Sequence, residues 1–180
     1  VLEQLHSLDL AHNPIGDEGA KPLFRSPYYR GIQKLNAGNA DLGPDTARLL
    51  AEHPESIHLQ SLNFGNETLL RCYYTRIQCD GLKALADSPY LSNLKKLALE
   101  SSEIFDDGIV ALAESTSITR LSQLDVSSNF AAAGVYAFVM SPNATEPTKL
   151  DTSCCGCYIE GLARSPHLQN IQQLRLSSNR

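Results

Sequence analysis

The chain has 180 residues and a formal net charge of −5 at pH 7, with 42% apolar and 19% charged residues. This length can bury a sizeable core and would ordinarily form one domain, and the composition is that of a globular protein. The acidic balance and the scattered basic residues argue against nucleic acid and anionic membranes as partners, and no apolar run approaches the length of a membrane span.

The segment Leu5–Pro27 combines a strand pattern with a helix pattern. Its leucines at positions 5, 8 and 10 predict a short strand with one buried face. Further on, Ala20 and Leu23 predict the inner stripe of a helix. Since neither half can bury its apolar side alone, altered copies of this segment must stack on one another to form a core.

Altered copies continue along the whole chain, with anchor leucines spaced by 27, 27, 35, 27, 26 and 24 residues. Each anchor predicts the centre of one strand: Leu8, Leu35, Leu62, Leu97, Leu124, Leu150 and Leu174. Apolar pairs three residues apart predict one helix after each of the first six strands: Ala20 and Leu23, Ala47 and Leu50, Leu82 and Leu85, Ile109 and Leu112, Val135 and Phe138, and Ile159 and Leu162. Most copies close with a proline that stops the helix and redirects the chain.

Two copies depart from the common length. Aligning Ile77 with Ile15 isolates Leu69–Arg76 as an eight-residue insertion in the third copy, between strand and helix. The sixth copy is three residues short at the same junction, so Cys154, Cys155 and Cys157 lie in a tightened turn.

The pattern LxxLxLxxN followed by xIGDEGAKxL resembles leucine-rich repeats of the ribonuclease-inhibitor-like subclass, especially their bacterial form. The resemblance covers nearly the whole chain. It implies an α/β fold, a right-handed solenoid of about seven repeats with a curved parallel sheet inside and helices outside. It also implies binding by an extended concave surface.

Some residues depart from the repeat pattern. We expect local irregularity at Pro22, which falls inside the first helix, and at Pro147 and Thr152, which weaken the sixth strand. The asparagine position that satisfies backbone groups at the turn varies along the chain: Asn13, Ala40, Glu67, Ser102, Asn129, Cys155 and Asn179.

The repeats predict a single domain over residues 1–180. The last copy has a strand without a helix, and neither end shows a polar capping unit. We therefore expect a fragment of a longer protein, with edge-to-edge self-association through uncapped ends as the other explanation.

Residues that alternate with the buried leucines predict a polar, solvent-facing inner surface. Its seven strands span about 29 Å and expose on the order of 500 Å², less than the about 800 Å² per partner of a standard complex. The insertion adds aromatic and arginine residues of the kind that anchor interfaces, although it could equally fold back over the third repeat. The candidate partner-binding residues are Arg71, Tyr73, Tyr74, Arg76, Lys34, Asn36, Asn63, Lys96, Asp125, Lys149 and Asp151.

The cysteines and acidic residues favour structural roles over chemistry. Cys155 and Cys157 take positions that are normally inward, and the spacing lacks the paired ligands of a zinc site. Five cysteines in an uneven set indicate a reducing compartment, so we expect a cytoplasmic protein. Asp17 and Asp106 fall at helix starts, where carboxylates stabilise exposed amides. We predict no cofactor, no metal and no enzymatic activity.

The sequence favours an interaction module that binds another protein, of unknown identity, through the concave face and the 69–76 loop. Two alternatives remain open. One is a GTPase-activating protein or other regulator of a small GTPase, as in one group of ribonuclease-inhibitor-like repeat proteins. The other is the recognition domain of a bacterial effector or ligase whose catalytic part lies outside these residues.

Overall fold

The computed structural model describes residues 4–66, 74–144, 147–157 and 159–179. Seven parallel strands form one open sheet in chain order. The strands are β1 (Ser7–Asp9), β2 (Lys34–Asn36), β3 (Ser61–Asn63), β4 (Lys96–Ala98), β5 (Gln123–Asp125), β6 (Lys149–Asp151) and β7 (Gln173–Arg175). The predicted solenoid is confirmed.

One helix follows each of the first six strands, as the apolar pairs predict. The helices are α1 (Gly16–Phe24), α2 (Pro44–Glu52), α3 (Gln78–Asp87), α4 (Asp106–Glu114), α5 (Ala132–Met140) and α6 (Ile159–Leu162). Short 3-10 turns at Pro27–Gly31, Pro54–His58 and Leu168–Asn170 lead into β2, β3 and β7. No described helix is long and apolar enough to cross a membrane.

The anchor leucines form one column across the sheet. Leu8 pairs with Leu35, and the same register carries through Leu62, Leu97, Leu124 and Leu150 to Leu174. The five inner leucines are almost fully buried, whereas Leu8 is half-buried and Leu174 is 40% exposed. The core therefore lies between the sheet and the helices.

A polar ladder at the carboxyl ends of the strands joins successive repeats. The Asn129 side chain donates to the carbonyl of Leu99 (2.7 Å) and accepts the amide of Ser102 (3.1 Å), both in the preceding repeat. Asn179 and Cys155 occupy the same place in their repeats, and Cys155 Sγ lies 3.0 Å from the carbonyl oxygen of Val126.

The third repeat places a different residue in this ladder from the one the sequence indicates. Thr75 Oγ1 donates to the carbonyl of Ala37 and accepts the amide of Ala40, each at 3.0 Å, which are the contacts that Asn129 makes two repeats on. The prediction of Glu67 at this position is therefore wrong, although Glu67 itself lies outside the described residues. Thr75 and Arg76 therefore belong to the regular repeat and not to the predicted insertion at 69–76.

A second polar ladder runs along the far ends of the helices. Ser88 Oγ donates to the carbonyl of Ala51 and Ser115 Oγ to that of Ala86, each at 2.6 Å, so each serine satisfies a carbonyl near the end of the preceding helix. Ser141 and Ser165 make the equivalent contacts. The serine at the end of each repeat, which precedes a proline in three of these four repeats, thus has a role of its own that the sequence pattern did not reveal.

The expected irregularities fall elsewhere than predicted. β6 pairs in register with both neighbours despite Pro147 and Thr152, because β5 and β7 determine which of its backbone groups form hydrogen bonds. The nine-residue α1 continues through Pro22, whose ring is exposed and lies two residues before the helix ends. The shortened sixth repeat shows its deficit in α6, which has four residues.

Candidate protein-binding face

A shallow groove of about 330 Å³ runs over the solvent-facing side of β3 to β7. Its lining comes from residues at the centre of each strand and on either side of it. Among the predicted residues, it brings together Asn63, Lys96, Asp125, Lys149 and Asp151. Lys34 and Asn36 continue the same face on β2.

The aspartate and asparagine residues that directly follow the anchor leucines each accept a hydrogen bond from a backbone amide. Asp125 Oδ1 accepts the amide of Ser127 at 3.0 Å, and Asp151 Oδ1 accepts that of Ser153 at 3.0 Å. The same contact recurs at Asp9, Asn36 and Asn63. These side chains therefore hold the turn after each strand, as Asx turns do.

Two contacts between neighbouring strands order this central column further. Asn63 Nδ2 donates to Asn36 Oδ1 at 2.9 Å, and Arg175 lies 3.5 Å from Asp151 Oδ2. Ala98 is the member of the column without a polar side chain. Its methyl group lines the middle of the groove, so this point alone in the column can be enlarged without removing a hydrogen bond.

Two of the predicted loop residues, Tyr74 and Arg76, are described, and both lie at the edge of the sheet beside the carboxyl ends of the strands and not among the residues that line the groove. Arg71 and Tyr73 lie outside the described residues. The Arg76 guanidinium stacks over the Tyr74 ring at 5.4 Å and pairs with Glu103 at 3.0 Å. Arg76 is exposed and Tyr74 is half-buried, so both keep surface that a partner can contact.

An exposed aromatic pair on the same edge was not predicted. Phe105 and Phe130 are 55% and 75% exposed, and their rings stack with centroids 6.1 Å apart. Phe130 follows the ladder residue Asn129 as Arg76 follows Thr75, while Phe105 stands directly before α4. The sequence does contain a signal for this pair. Phe105 stands where other repeats have Gly16 and Gly43, and Phe130 stands where they have Pro14 and Asp41.

The cysteine cluster is packed into the repeat. Cys155 and Cys157 are 4% and 1% exposed, as their inward positions predict, whereas Cys154 is exposed. A hydrogen bond with Cys157 and burial raise the pKa of the Cys155 thiol, so this group stays protonated at neutral pH. Cys72 lies outside the described residues, and the four described cysteines are free thiols.

The stacked repeats and their parallel sheet define a leucine-rich-repeat solenoid. The family model described as Leucine Rich repeat matches residues 4–24 and 90–113, which hold β1 with α1 and β4 with all but the last residue of α4. These matches support a leucine-rich-repeat protein, and the common register extends the same architecture to the other strands. No curated protein matches the chain. Such repeats commonly mediate protein–protein interaction and typically serve as non-enzymatic binding scaffolds.

Proposed function

We propose that the chain is a protein-interaction module that holds another protein across the groove of β3 to β7. The observation that carries this proposal is the continuous groove on the strand face, lined by lysine, aspartate and amide side chains. Surfaces of this kind, built from successive repeats, are the ones that solenoid proteins use for binding.

The edge of the sheet supplies anchors that the strand face lacks. Interfaces depend on a few buried aromatic and arginine residues, which the groove lining lacks apart from Arg175 at its end. Phe105 and Phe130 offer exposed apolar area, and Tyr74 with Arg76 offers a second aromatic and cationic pair on the same edge. A partner that spans groove and edge would contact more than the about 500 Å² of the strands alone.

The proposal includes the predicted repeat subclass and the predicted cellular location. The IGDEGA motif and the regular alternation of strand and helix support the ribonuclease-inhibitor-like subclass. The buried free thiols Cys155 and Cys157 support a reducing, cytoplasmic location. The single domain and the alternative functions stay predictions.

The proposal is tested with two matched tryptophan variants in a capture experiment. Ala98→Trp fills the middle of the groove, whereas Ala111→Trp makes the same change on α4, on the opposite side of the molecule. We expect a protein captured by the wild type from a lysate of the source organism to be retained by Ala111→Trp and lost by Ala98→Trp. The purified partner should show a dissociation constant at least about ten-fold weaker for Ala98→Trp, by calorimetry.

A second pair of variants tests the edge in the same experiment. Phe105→Ser with Phe130→Ser removes the exposed aromatic pair, and Tyr136→Ser removes a 45% exposed aromatic from α5 as the control. Retention of the partner by Ala98→Trp, with circular dichroism showing an intact fold, would overturn the use of the groove. Retention by the double phenylalanine variant would remove the edge from the interface while leaving the groove in place.

A further inference from the structure

Three lysines occupy one column of the strand face at every second strand. The register aligns Lys34 of β2 with Ser61, Lys96, Gln123 and Lys149 in turn. Lysine therefore alternates with a neutral residue, and we call Lys34, Lys96 and Lys149 the lysine column. All three side chains are exposed, and among the described residues none of them takes part in an ion pair.

The alternation fixes a distance between charges. Neighbouring strands lie about 4.8 Å apart, so the Cα atoms of lysines two strands apart are separated by about 9.6 Å, those of the whole column span about 19 Å, and the flexible side chains extend from these points. A ligand with carboxylates at that repeat distance could pair with all three ammonium groups at once. A ligand with another repeat distance could pair with fewer of them.

The spacing of the lysines favours some backbone conformations of a ligand over others. In a β-strand, residues on one face recur every 6.6 to 6.8 Å or so, which matches neither one nor two steps of the column. In polyproline II, three residues make one turn and rise about 9.3 Å, so every third side chain points to the same side. Six residues of such a chain span about 18.6 Å, close to the length of the lysine column.

An α-helix has a suitable repeat but is too wide. Seven helical residues rise about 10.5 Å, but a helix with its side chains is about 10 to 12 Å across. The groove over β3 to β7 is shallow and holds about 330 Å³. A slender extended chain can lie along its floor, whereas a helix of this width would rest on its borders.

Aspartates on the other side of the groove determine which side of a bound ligand can carry carboxylates. Asp151 stands beside Lys149 on β6, Asp125 holds the same position on the neighbouring strand β5, and Asp151 pairs with Arg175. Carboxylates of a ligand would be repelled on that side and attracted on the lysine side. At the centre, the Ala98 methyl group offers an apolar contact that suits proline rings.

We propose that the groove, together with its continuation over Lys34 on β2, binds an extended acidic segment of another protein, in polyproline II conformation, with Asp or Glu at every third residue. Each carboxylate pairs with one member of the lysine column, and prolines between them keep the segment in this conformation at low entropic cost. This inference rests on the proposed function, because it identifies the partner segment that the same groove accepts.

The test compares one peptide with a rearranged control of identical composition and with a helical peptide. The first probe is a fluorescein-labelled peptide of three Glu-Pro-Pro triplets, and the control has the same residues with the three glutamates adjacent. A third probe is a helical peptide with glutamate at every seventh residue. Fluorescence anisotropy at physiological ionic strength should show the triplet peptide binding about three- to ten-fold more tightly than either of the others.

A charge-conserving variant tests whether the spacing of the lysines matters. Lys96→Gln combined with Gln123→Lys moves the middle lysine to the next strand and leaves composition and net charge unchanged. This double variant should lose the preference for the triplet peptide over the clustered control, because its three lysines are no longer evenly spaced. Circular dichroism and urea unfolding verify that its fold is retained.

Each outcome decides the inference. Equal binding of the triplet and clustered peptides, tighter binding of the helical peptide, an unchanged preference in the double variant, or no binding of the triplet peptide at millimolar concentration would each overturn it. If Ala98→Trp still abolishes partner capture in any of these cases, the proposed function stands and only the identity of the segment is wrong. If the triplet peptide binds as expected but capture is unaffected by Ala98→Trp, the proposed function fails on its own.

Discussion

Asn129 illustrates how one side chain connects two repeats. It is 1% exposed and makes five hydrogen bonds, donating to the carbonyls of Leu99, Val126 and Ser127 and accepting the amides of Ser102 and Ile104. These are backbone groups at a turn, where regular secondary structure leaves them without partners. Because the site is buried, water cannot replace the asparagine.

Asn129→Ala should lower the free energy of unfolding by about 3 kcal/mol, since it leaves several buried backbone groups unsatisfied. Asn129→Ser should cost less, because Ser102 fills the same position in the preceding repeat with hydrogen bonds to Phe64 and Glu100. Urea unfolding monitored by circular dichroism measures both changes.

Asn13→Ala is the matched control for this prediction. Asn13 holds the same ladder position in the first repeat, but it is exposed and donates only to the carbonyls of Leu10 and Ala11 among the described contacts. Its removal should cost less than about 1 kcal/mol, because water can satisfy the carbonyls it leaves. Equal losses for the two alanine variants would contradict the role assigned to burial.

The ladder also shows what the sequence could and could not predict at this scale. Asparagines at 13, 129 and 179 mark the position directly, whereas Thr75 does not resemble them. The available signal was the distance to the next apolar residue, because Thr75 precedes Ile77 as Asn13 precedes Ile15. The phase of an insertion is ambiguous when only its flanking apolar residues are matched, and the hydrogen bonds of Thr75 resolve it.

At the scale of elements, helices pack closely where a glycine faces the preceding helix. A Cβ at Gly134 of α5 would lie 2.7 Å from the carbonyl oxygen of Asp106 and 2.8 Å from Ile109 Cβ, both in α4. The amide of Gly134 also donates to the Asp106 carboxylate at 2.8 Å. Asp17 of α1 makes the equivalent contacts with α2, so carboxylates at helix starts cap the next helix in the stack.

Gly134→Ala should therefore destabilise the protein by about 1 to 3 kcal/mol, although alanine favours helices over glycine by about 1 kcal/mol. The contact is with backbone, so α4 and α5 must move apart to relieve it. The melting temperature and the urea midpoint measure the effect.

Gly161→Ala is the control for helix propensity. A Cβ at Gly161 in α6 would lie 3.4 Å from the Tyr136 ring, an ordinary contact. This change should leave the stability unchanged or raise it by up to about 1 kcal/mol. If both glycine variants were more stable than the wild type, close packing of α4 and α5 would not explain why α5 has a glycine at position 134.

The elements themselves were largely predictable, and their exposed side chains were not. Apolar residues with a period of two or three locate every strand and helix, and β6 forms despite Pro147 because β5 and β7 determine its register. The stacked pair of Phe105 and Phe130 depends on which way two loops of neighbouring repeats turn. No local pattern in either repeat contains that information, so the aromatic edge emerges only in the assembled sheet.

At the scale of the molecule, each repeat contacts its neighbours in the stack, so stability is shared between adjacent repeats. The anchor leucines display this directly, because they have the same chemistry and the same register but different surroundings. Leu124 has a strand on each side and is 4% exposed, whereas Leu174 on the last strand is 40% exposed. The contribution of an anchor leucine to the free energy of unfolding should therefore depend on its place in the stack.

Leu124→Ala should lower the free energy of unfolding by about 3 kcal/mol, because it leaves a cavity between the sheet and the helices. Leu174→Ala should lower it by less than about 1 kcal/mol, since the removed atoms are already partly in water. Hydrogen exchange should locate the two effects, with faster exchange throughout β4 to β6 in the first variant and in β7 alone in the second. Similar losses in the two variants, or faster exchange across all strands in both, would mean that the repeats unfold as one unit and that the position of an anchor does not set its contribution.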